Sequence, residues 1–331
     1  MINNKITGRR IKRISVIIFI IIITVILKTP AEVRAQTISL SIWPLLLEAV
    51  IQPGKAITQV FRLKNLGDDT IIHASVVPFE PADAFGRIAL SQTASPALAY
   101  FSLQNADLDL PAIIPLKSGQ TQEFVLKIKI PETAAEADHY FAFLFSADTK
   151  GLISASGTTT LGSIGANILL TVSQTGELHP TAKIEEFRPT RSNLVGNLRG
   201  WTLLDSFSPI NFILKLKNTS STRLKAIGQI EVKNTFNRLV ATLPLREDNV
   251  LAHSSRYLQM EGSDPSIIWN PIFPIGRYTA TATITPQNTT NQISQTIHFY
   301  VLPYKALLAI LILVSIYLLT KQKLSIHNRS K

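Results

Sequence analysis

The residues able to do chemistry in this chain are its histidines, carboxylates and serines, because cysteine is absent altogether. That absence removes a lipid-attachment box, a zinc thiolate site and a thiol nucleophile in one stroke. The six histidines are His73, His139, His179, His253, His298 and His327. None has a second ligand at the short spacing that a zinc centre needs. Asp68 with Asp69, and Asp107 with Asp109, are the tight acidic groups. Loop oxygens suit calcium, but neither group belongs to the ligand series of a calcium loop. No Gly-x-Ser-x-Gly elbow occurs, the nearest string being Gly162-Ser163-Ile164-Gly165 with the wrong spacing. Gly-rich phosphate loops are absent as well. Glu185, Glu186 and Asp205 could form a paired-carboxylate hydrolytic centre if the fold brought them together. Acids at exposed turns are the plainer reading of all three. The expectation is a protein with no catalytic residue, no metal and no cofactor.

Two aromatic segments offer contact chemistry instead. Trp269-Asn270-Pro271-Ile272-Phe273-Pro274 is too rich in proline for a central strand. Gly200-Trp201 and Phe207-Ser208-Pro209 form the second. Aromatics on rigid loops suit recognition of protein or glycan. They equally suit capping the end of a core, and the sequence leaves Trp201, Phe207, Trp269 and Phe273 open between these roles. Asn218 and Asn288 begin N-glycosylation sequons, relevant only in a host with that pathway.

The elements that must position these residues are strands. From Ile38 to Leu302 the chain runs in short apolar stretches of period two, broken by Gly, Pro, Asn and Asp. Phe124, Leu126, Ile128 and Ile130 alternate with Val125, Lys127 and Lys129, and Phe212, Leu214 and Leu216 alternate with Ile213, Lys215 and Lys217. One face of each such strand is apolar and the other partly charged, which predicts an all-β protein of two immunoglobulin-like β-sandwich domains in tandem. A weak turn of helix is expected around Glu132 to Ala137. Gly176 and Pro180 interrupt the pattern, so the first domain is expected over 36–178 and the second over 179–302. Both halves end an early strand in Leu-Lys-Asn, at Asn65 and at Asn218, and both open a late strand on a tyrosine, Tyr140 and Tyr278. Such tyrosines resemble the tyrosine corner of Greek-key sandwiches, whose hydroxyl caps a nearby backbone group. The parallel suggests a diverged internal duplication.

The ends predict the topology. Lys5, Arg9, Arg10, Lys12 and Arg13 precede an apolar run from Ile14 to Leu27, and Val33-Arg34-Ala35 follows it. This is the plan of a secretory signal peptide over 1–35 with cleavage after Ala35; an uncleaved anchor helix is the alternative. Residues 304–320 predict a transmembrane helix, whose uncharged part, Ala306 to Thr320, is roughly 22 Å long. Tyr304, Lys305 and Lys321 can extend its reach by snorkelling. The basic tail 321–331 is expected in the cytoplasm by the positive-inside bias. The formal charge of +11 is concentrated at these ends, since 36–302 holds 21 basic and 21 acidic residues. A neutral ectodomain argues against nucleic acid as a partner. The chain is therefore expected to sit in the cell membrane as a single-pass protein with its N-terminal ectodomain outside.

Pro53-Gly54, Phe61 to Asn65, Ile113 to Gly119, Phe124 to Pro131 and Tyr140 to Phe145 follow in an order that resembles the first domain of WxL-interacting surface proteins of Gram-positive bacteria. More distantly the order is similar to the sandwich of pilus chaperones. The second half, with Lys217-Asn218, Asn249-Val250-Leu251 and Gly276 to Tyr278 before the C-terminal span, sits where that family has its second domain. The resemblance implies cell-wall attachment by the membrane-distal half and partner binding by the proximal half. Three functional classes follow: a non-catalytic binding or adhesion module for a cell-wall polymer or envelope protein, a structural or chaperone-like subunit offering a sheet edge, and an envelope hydrolase.

Overall fold

The computed structural model describes residues 37–93, 95–104, 109–147, 162–178, 180–190, 194–198, 201–261, 266–287 and 289–329. The expected signal peptide, with its cleavage site, lies outside them, as do His179, Asp107 and Asn288. In chain order the first sandwich is built from β1 (Leu40–Trp43), β2 (Leu46–Ile51), β3 (Ala56–Asn65), β4 (Thr70–Pro81), β5 (Ile88–Leu90), β6 (Phe101–Leu103), β7 (Ala112–Leu116), β8 (Thr121–Lys129), β9 (Ala137–Ala147) and β10 (Ser163–Val172). The second comprises β11 (Ala182–Pro189), β12 (Leu194–Leu198), β13 (Trp201–Asp205), β14 (Ile210–Asn218), β15 (Leu224–Asn234), β16 (Leu239–Pro244), β17 (Asp248–Val250), β18 (Ser255–Tyr257), β19 (Ile267–Trp269), β20 (Gly276–Pro286) and β21 (Ile293–Leu302). A single helix, α1 (Tyr304–Arg329), follows.

In the first sandwich a four-stranded sheet, β1-β3-β8-β6, faces a six-stranded one, β2-β10-β9-β4-β5 with β7 on β4. The period-two pattern sends Phe61, Leu63, Phe124, Leu126 and Ile128 inward from one sheet and Phe141, Phe143, Phe145 and Ile168 inward from the other. Phe61 and Phe124 meet the Phe143 ring edge-on at 5.3 and 5.9 Å, so aromatic contacts span the two layers. In the second sandwich β11-β14-β18 with β19 on β14 faces the seven-stranded sheet β12-β13-β21-β20-β15-β16 with β17 on β15. Phe212, Leu214 and Leu216 pack there against Ile230, Val232, Ala280, Ala282 and Phe299. The alternating halves Val125-Lys127-Lys129 and Ile213-Lys215-Lys217 remain partly or fully exposed.

Two local readings differ from the sequence expectation. Glu132 to Glu136 forms turns and bends, tied by Ala134 N–H to the Pro131 carbonyl, because β9 claims the backbone from Ala137 onward. Helix α1 also runs on past Thr320 to Arg329, since no glycine or proline in 321–329 stops it. Its stretch Tyr304–Lys321 is long and apolar enough to cross a membrane, and none of it is buried in the protein.

Candidate functional site

The sandwiches meet on the outer face of the six-stranded sheet. Register sets Glu48 of β2 beside Leu169 of β10 and Leu169 beside Tyr140 of β9; Phe79 of β4 completes the row, its ring stacked on Tyr140 at 5.9 Å. Leu251 of the second sandwich closes over Phe79, Ala142 and Leu169 as a small apolar cluster of its own. Around it the contact is polar. Glu48 Oε2 takes Lys225 Nζ at 2.9 Å, and Oε1 accepts from Asn249 Nδ2. Asp138 Oδ2 accepts from the Tyr140 hydroxyl at 2.6 Å and from Arg223 N–H at 2.5 Å, and the Tyr140 hydroxyl accepts from Ala252 N–H at 2.8 Å. Tyr257 N–H donates to the Ala84 carbonyl at 2.7 Å, with the Phe85 and Tyr257 rings 5.0 Å apart. Burial alone pushes the Glu48 carboxyl up, but hydrogen bonds from Lys225 and Asn249 and the charges of Lys225 and Arg223 hold it below the ordinary value. Burial and the Asp138 charge push the Tyr140 phenol well up, so it stays protonated as a donor.

Beside this seam lies a cleft of about 260 Å³, walled by Leu46, Asn167 and Ile88 on one side and by Asp248, Asn249 and Arg256 on the other. Two of its carboxylates are paired: Arg256 Nη2 and Arg246 Nη2 hold Asp248 Oδ1 at 3.0 and 3.1 Å, and Arg87 Nε holds Asp83 at 2.5 Å, while Glu247 lines the cleft exposed. Leu46 of the cleft wall follows a pair of exposed apolar residues in the chain. These are Trp43 and Leu45, 63% and 62% exposed, at the point where the chain crosses from one sheet to the other. Among the described residues β2 pairs with β10 and with no other strand. Leu45 and Ile51 carbonyls accept from Asn167 and Ser173 N–H. In a parallel ladder both backbone groups of a residue point the same way, so Leu46, Glu48 and Val50 turn theirs outward. These outward groups have no backbone partner among the described residues.

The residues singled out in the sequence are dispersed. Trp269 is 6% exposed and packs on Tyr278 and Phe299 at 5.1 and 6.3 Å, as a core cap. Phe207 and Phe273 are half exposed and touch edge-on at 5.5 Å, at the far end from the cleft. Trp201 opens β13 against Leu198, and its side chain lies outside the described residues. The Tyr278 hydroxyl donates to the Ile275 carbonyl at 3.4 Å, back along its own chain. Tyr140 departs from the corner expectation: its hydroxyl reaches across to the second sandwich, because Asp138 and Ala252 flank it there. Asn218 is fully buried with Nδ2 bonded to three carbonyls, so it presents no glycosylation site. Glu185 pairs with Lys215, Glu186 with Arg188 and Asp205 with Lys305, and the first two lie in a different sheet from the third. Among the described residues no group of three His, Asp or Glu could hold a metal ion. Sequence reasoning missed Trp43 and Leu45; the available signal was the apolar run Ile42-Trp43-Pro44-Leu45-Leu46-Leu47, which breaks the period of two.

No protein-family model and no curated protein matches the chain, so the WxL-interacting resemblance finds no support there. Similar solved structures include a chain of the chaperone–tip adhesin complex of CFA/I fimbriae, at 11% identity over 80% of this chain and 99% of that one, with a TM-score of 0.39. The class 5 fimbriae chaperone CfaA is 10% identical over 78% of this chain and 98% of its own, with a TM-score of 0.37. The E. coli chaperone DraB is 11% identical over the same shares, 78% and 98%, with a TM-score of 0.35. Likeness at this level assigns no function.

Proposed function

We propose that the protein is a membrane-anchored, non-catalytic binding protein of the cell envelope. Its first sandwich receives an extended segment of another envelope protein along the β2 edge. The observation that carries this reading is the outward row of Leu46, Glu48 and Val50 backbone groups, unpaired among the described residues and flanked by exposed Trp43 and Leu45. An added strand would satisfy those groups, and exposed Trp43 and Leu45 would take apolar side chains of the partner. The anchor is α1, with the basic tail in the cytoplasm and both sandwiches outside. A binding role also fits the cleft's paired charges, Asp83 with Arg87 and Asp248 with Arg246 and Arg256.

The test uses the full chain in lipid nanodiscs as bait for envelope fractions. Val50→Pro removes one outward N–H and leaves the ladder to β10 in place, since that N–H faces away from it. Val50→Pro and Trp43→Ala are expected to abolish capture with melting temperature unchanged. Undiminished capture by both variants would refute the edge. Capture of purified glycan strands instead of protein would replace the partner with a cell-wall polymer, and turnover of those strands would replace binding with hydrolysis.

A further inference from the structure

Three turns of the second sandwich converge on the end from which α1 departs. Strand β21 finishes at Leu302, and the helix begins at Tyr304. Asp205 lies opposite Leu302, so the turn Ser206-Phe207-Ser208-Pro209 leaves the sheet at that level. Gly276 lies opposite Val301, so Asn270 to Ile275 enters there. Asn234 lies opposite Tyr278, and the turn beyond it, Thr235-Phe236-Asn237-Arg238, is tied to Arg277 by Thr235 Oγ1 donating at 2.9 Å to its carbonyl. Ser206 Oγ donates to the Pro274 carbonyl at 2.7 Å, and Lys305 Nζ meets Asp205 at 2.7 Å, so the turns and the first turn of the helix form one platform.

The platform exposes large apolar side chains that a soluble end would hide. Phe236 is 89% exposed at the tip of its turn, Ile272 is fully exposed, and Phe207, Phe273 and Ile275 are about half exposed. Arg238 is the single charge in the three turns. The opposite end of the same sandwich is polar and engaged with the first, through Arg223, Lys225 and Asn249. An exposed apolar patch marks a contact surface. Its occupant follows from continuity with α1, whose lipid-facing surface starts within the platform: apolar side chains beside a span, with few charges and a lysine at the helix start, suit the headgroup and acyl boundary.

We infer that Phe207, Phe236, Ile272, Phe273 and Ile275 dip into the outer surface of the lipid bilayer and seat the second sandwich on it. The inference rests on the reading of α1 as a membrane anchor. The seat fixes the tilt of the ectodomain and holds the β2 edge at a set height above the lipid.

The cysteine-free chain permits a direct test. Single substitutions Phe236→Cys, Ile272→Cys, Leu313→Cys and Ser118→Cys are labelled with an environment-sensitive fluorophore in the full chain, in phosphatidylcholine nanodiscs with or without spin-labelled quencher lipid. The expected result is a blue shift and loss of emission by quencher lipid at 236, 272 and 313, with 118 unaffected. Quenching at 313 with 236 and 272 as wet as 118 would overturn the seat and keep the anchor. No quenching at 313 would overturn the anchor and the seat with it. A blue shift at 236 and 272 that ignores quencher lipid and grows with the number of chains per disc would assign the patch to a second copy and overturn the lipid seat.

Discussion

Asn65 and Asn218 occupy matching places in the two sandwiches and do the same work, whereas Tyr140 and Tyr278 occupy matching places and do different work. Asn65 Nδ2 donates to the Asp68 and Leu116 carbonyls, and its Oδ1 accepts from Gly67 N–H. Asn218 Nδ2 donates to Thr222, Val250 and Leu251 carbonyls, and its Oδ1 accepts from Ser220 N–H and Oγ. Each amide stitches a turn that would otherwise bury unpaired backbone. Beyond Asn218's third carbonyl, the small partner two residues on differs: a Cβ at Gly67 would lie 2.0 Å from the Thr37 carbonyl oxygen, while Ser220 uses its hydroxyl. The tyrosines diverge because a second sandwich covers one and not the other. A device made within one turn survives divergence of the surroundings; a device reaching outward is reassigned by whatever docks there.

The asparagines test the first half of that comparison with the largest effect. Asn218→Ala is expected to cost about 3 kcal/mol, and Asn65→Ala about 2 kcal/mol, because buried carbonyls lose their donors. Urea melts should register each loss in its own sandwich alone. If either change left its sandwich at full stability, the shared device would be a coincidence of sequence.

Tyr140→Phe comes next, at about 1–2 kcal/mol, since Ala252 N–H loses its acceptor and Asp138 a donor. Its mark is a loosened seam, read by small-angle scattering as a wider spread of sandwich orientations. An unchanged scattering profile would return Tyr140 to a purely internal role. Lowering the pH attacks the same seam. The Glu48 carboxyl is depressed in the folded protein, so its contribution is complete above about pH 4.3 and is lost as pH falls through the lower folded value. Glu48→Gln should flatten that acid dependence of the seam; an equally steep dependence in the variant would assign it to other carboxylates. The smallest effect belongs to Tyr278→Phe, under about 1 kcal/mol, because the bond to Ile275 is long at 3.4 Å and the ring keeps its packing on Trp269 and Phe299.

What the sequence made legible follows the same division. Alternation at Phe124 to Ile130 and Phe212 to Leu216 is a local signal, and it predicted the strands that build both cores. The Leu-Lys-Asn turns were legible for the same reason. The seam was not, since Glu48, Asp138 and Arg223 read as ordinary strand and turn residues, and Tyr140 as an internal corner, until the two sandwiches touch. Trp269 and Phe273, four residues apart, looked alike in the sequence; β19 pairs with β14 and draws the first into the core, while the second sits beyond the strand at a φ of 49°. That β2 ends its sheet among the described residues was likewise invisible, because which strand ends a sheet is a property of the pairing order and not of the strand.

The way β21 runs into α1 also sets how the protein meets a pull. Tension between the bilayer and a partner held by the first sandwich would enter at Leu302 and travel along the strand. β21 is clasped on one side by β20, from Ile284 opposite Ile293 to Gly276 opposite Val301, and on the other by β13, from Phe299 to Leu302. Ladder bonds lie across the strand, so such a force shears both rows together instead of peeling them one bond at a time. A load carried by α1 would therefore be resisted by many ladder bonds at once and not by one bond after another.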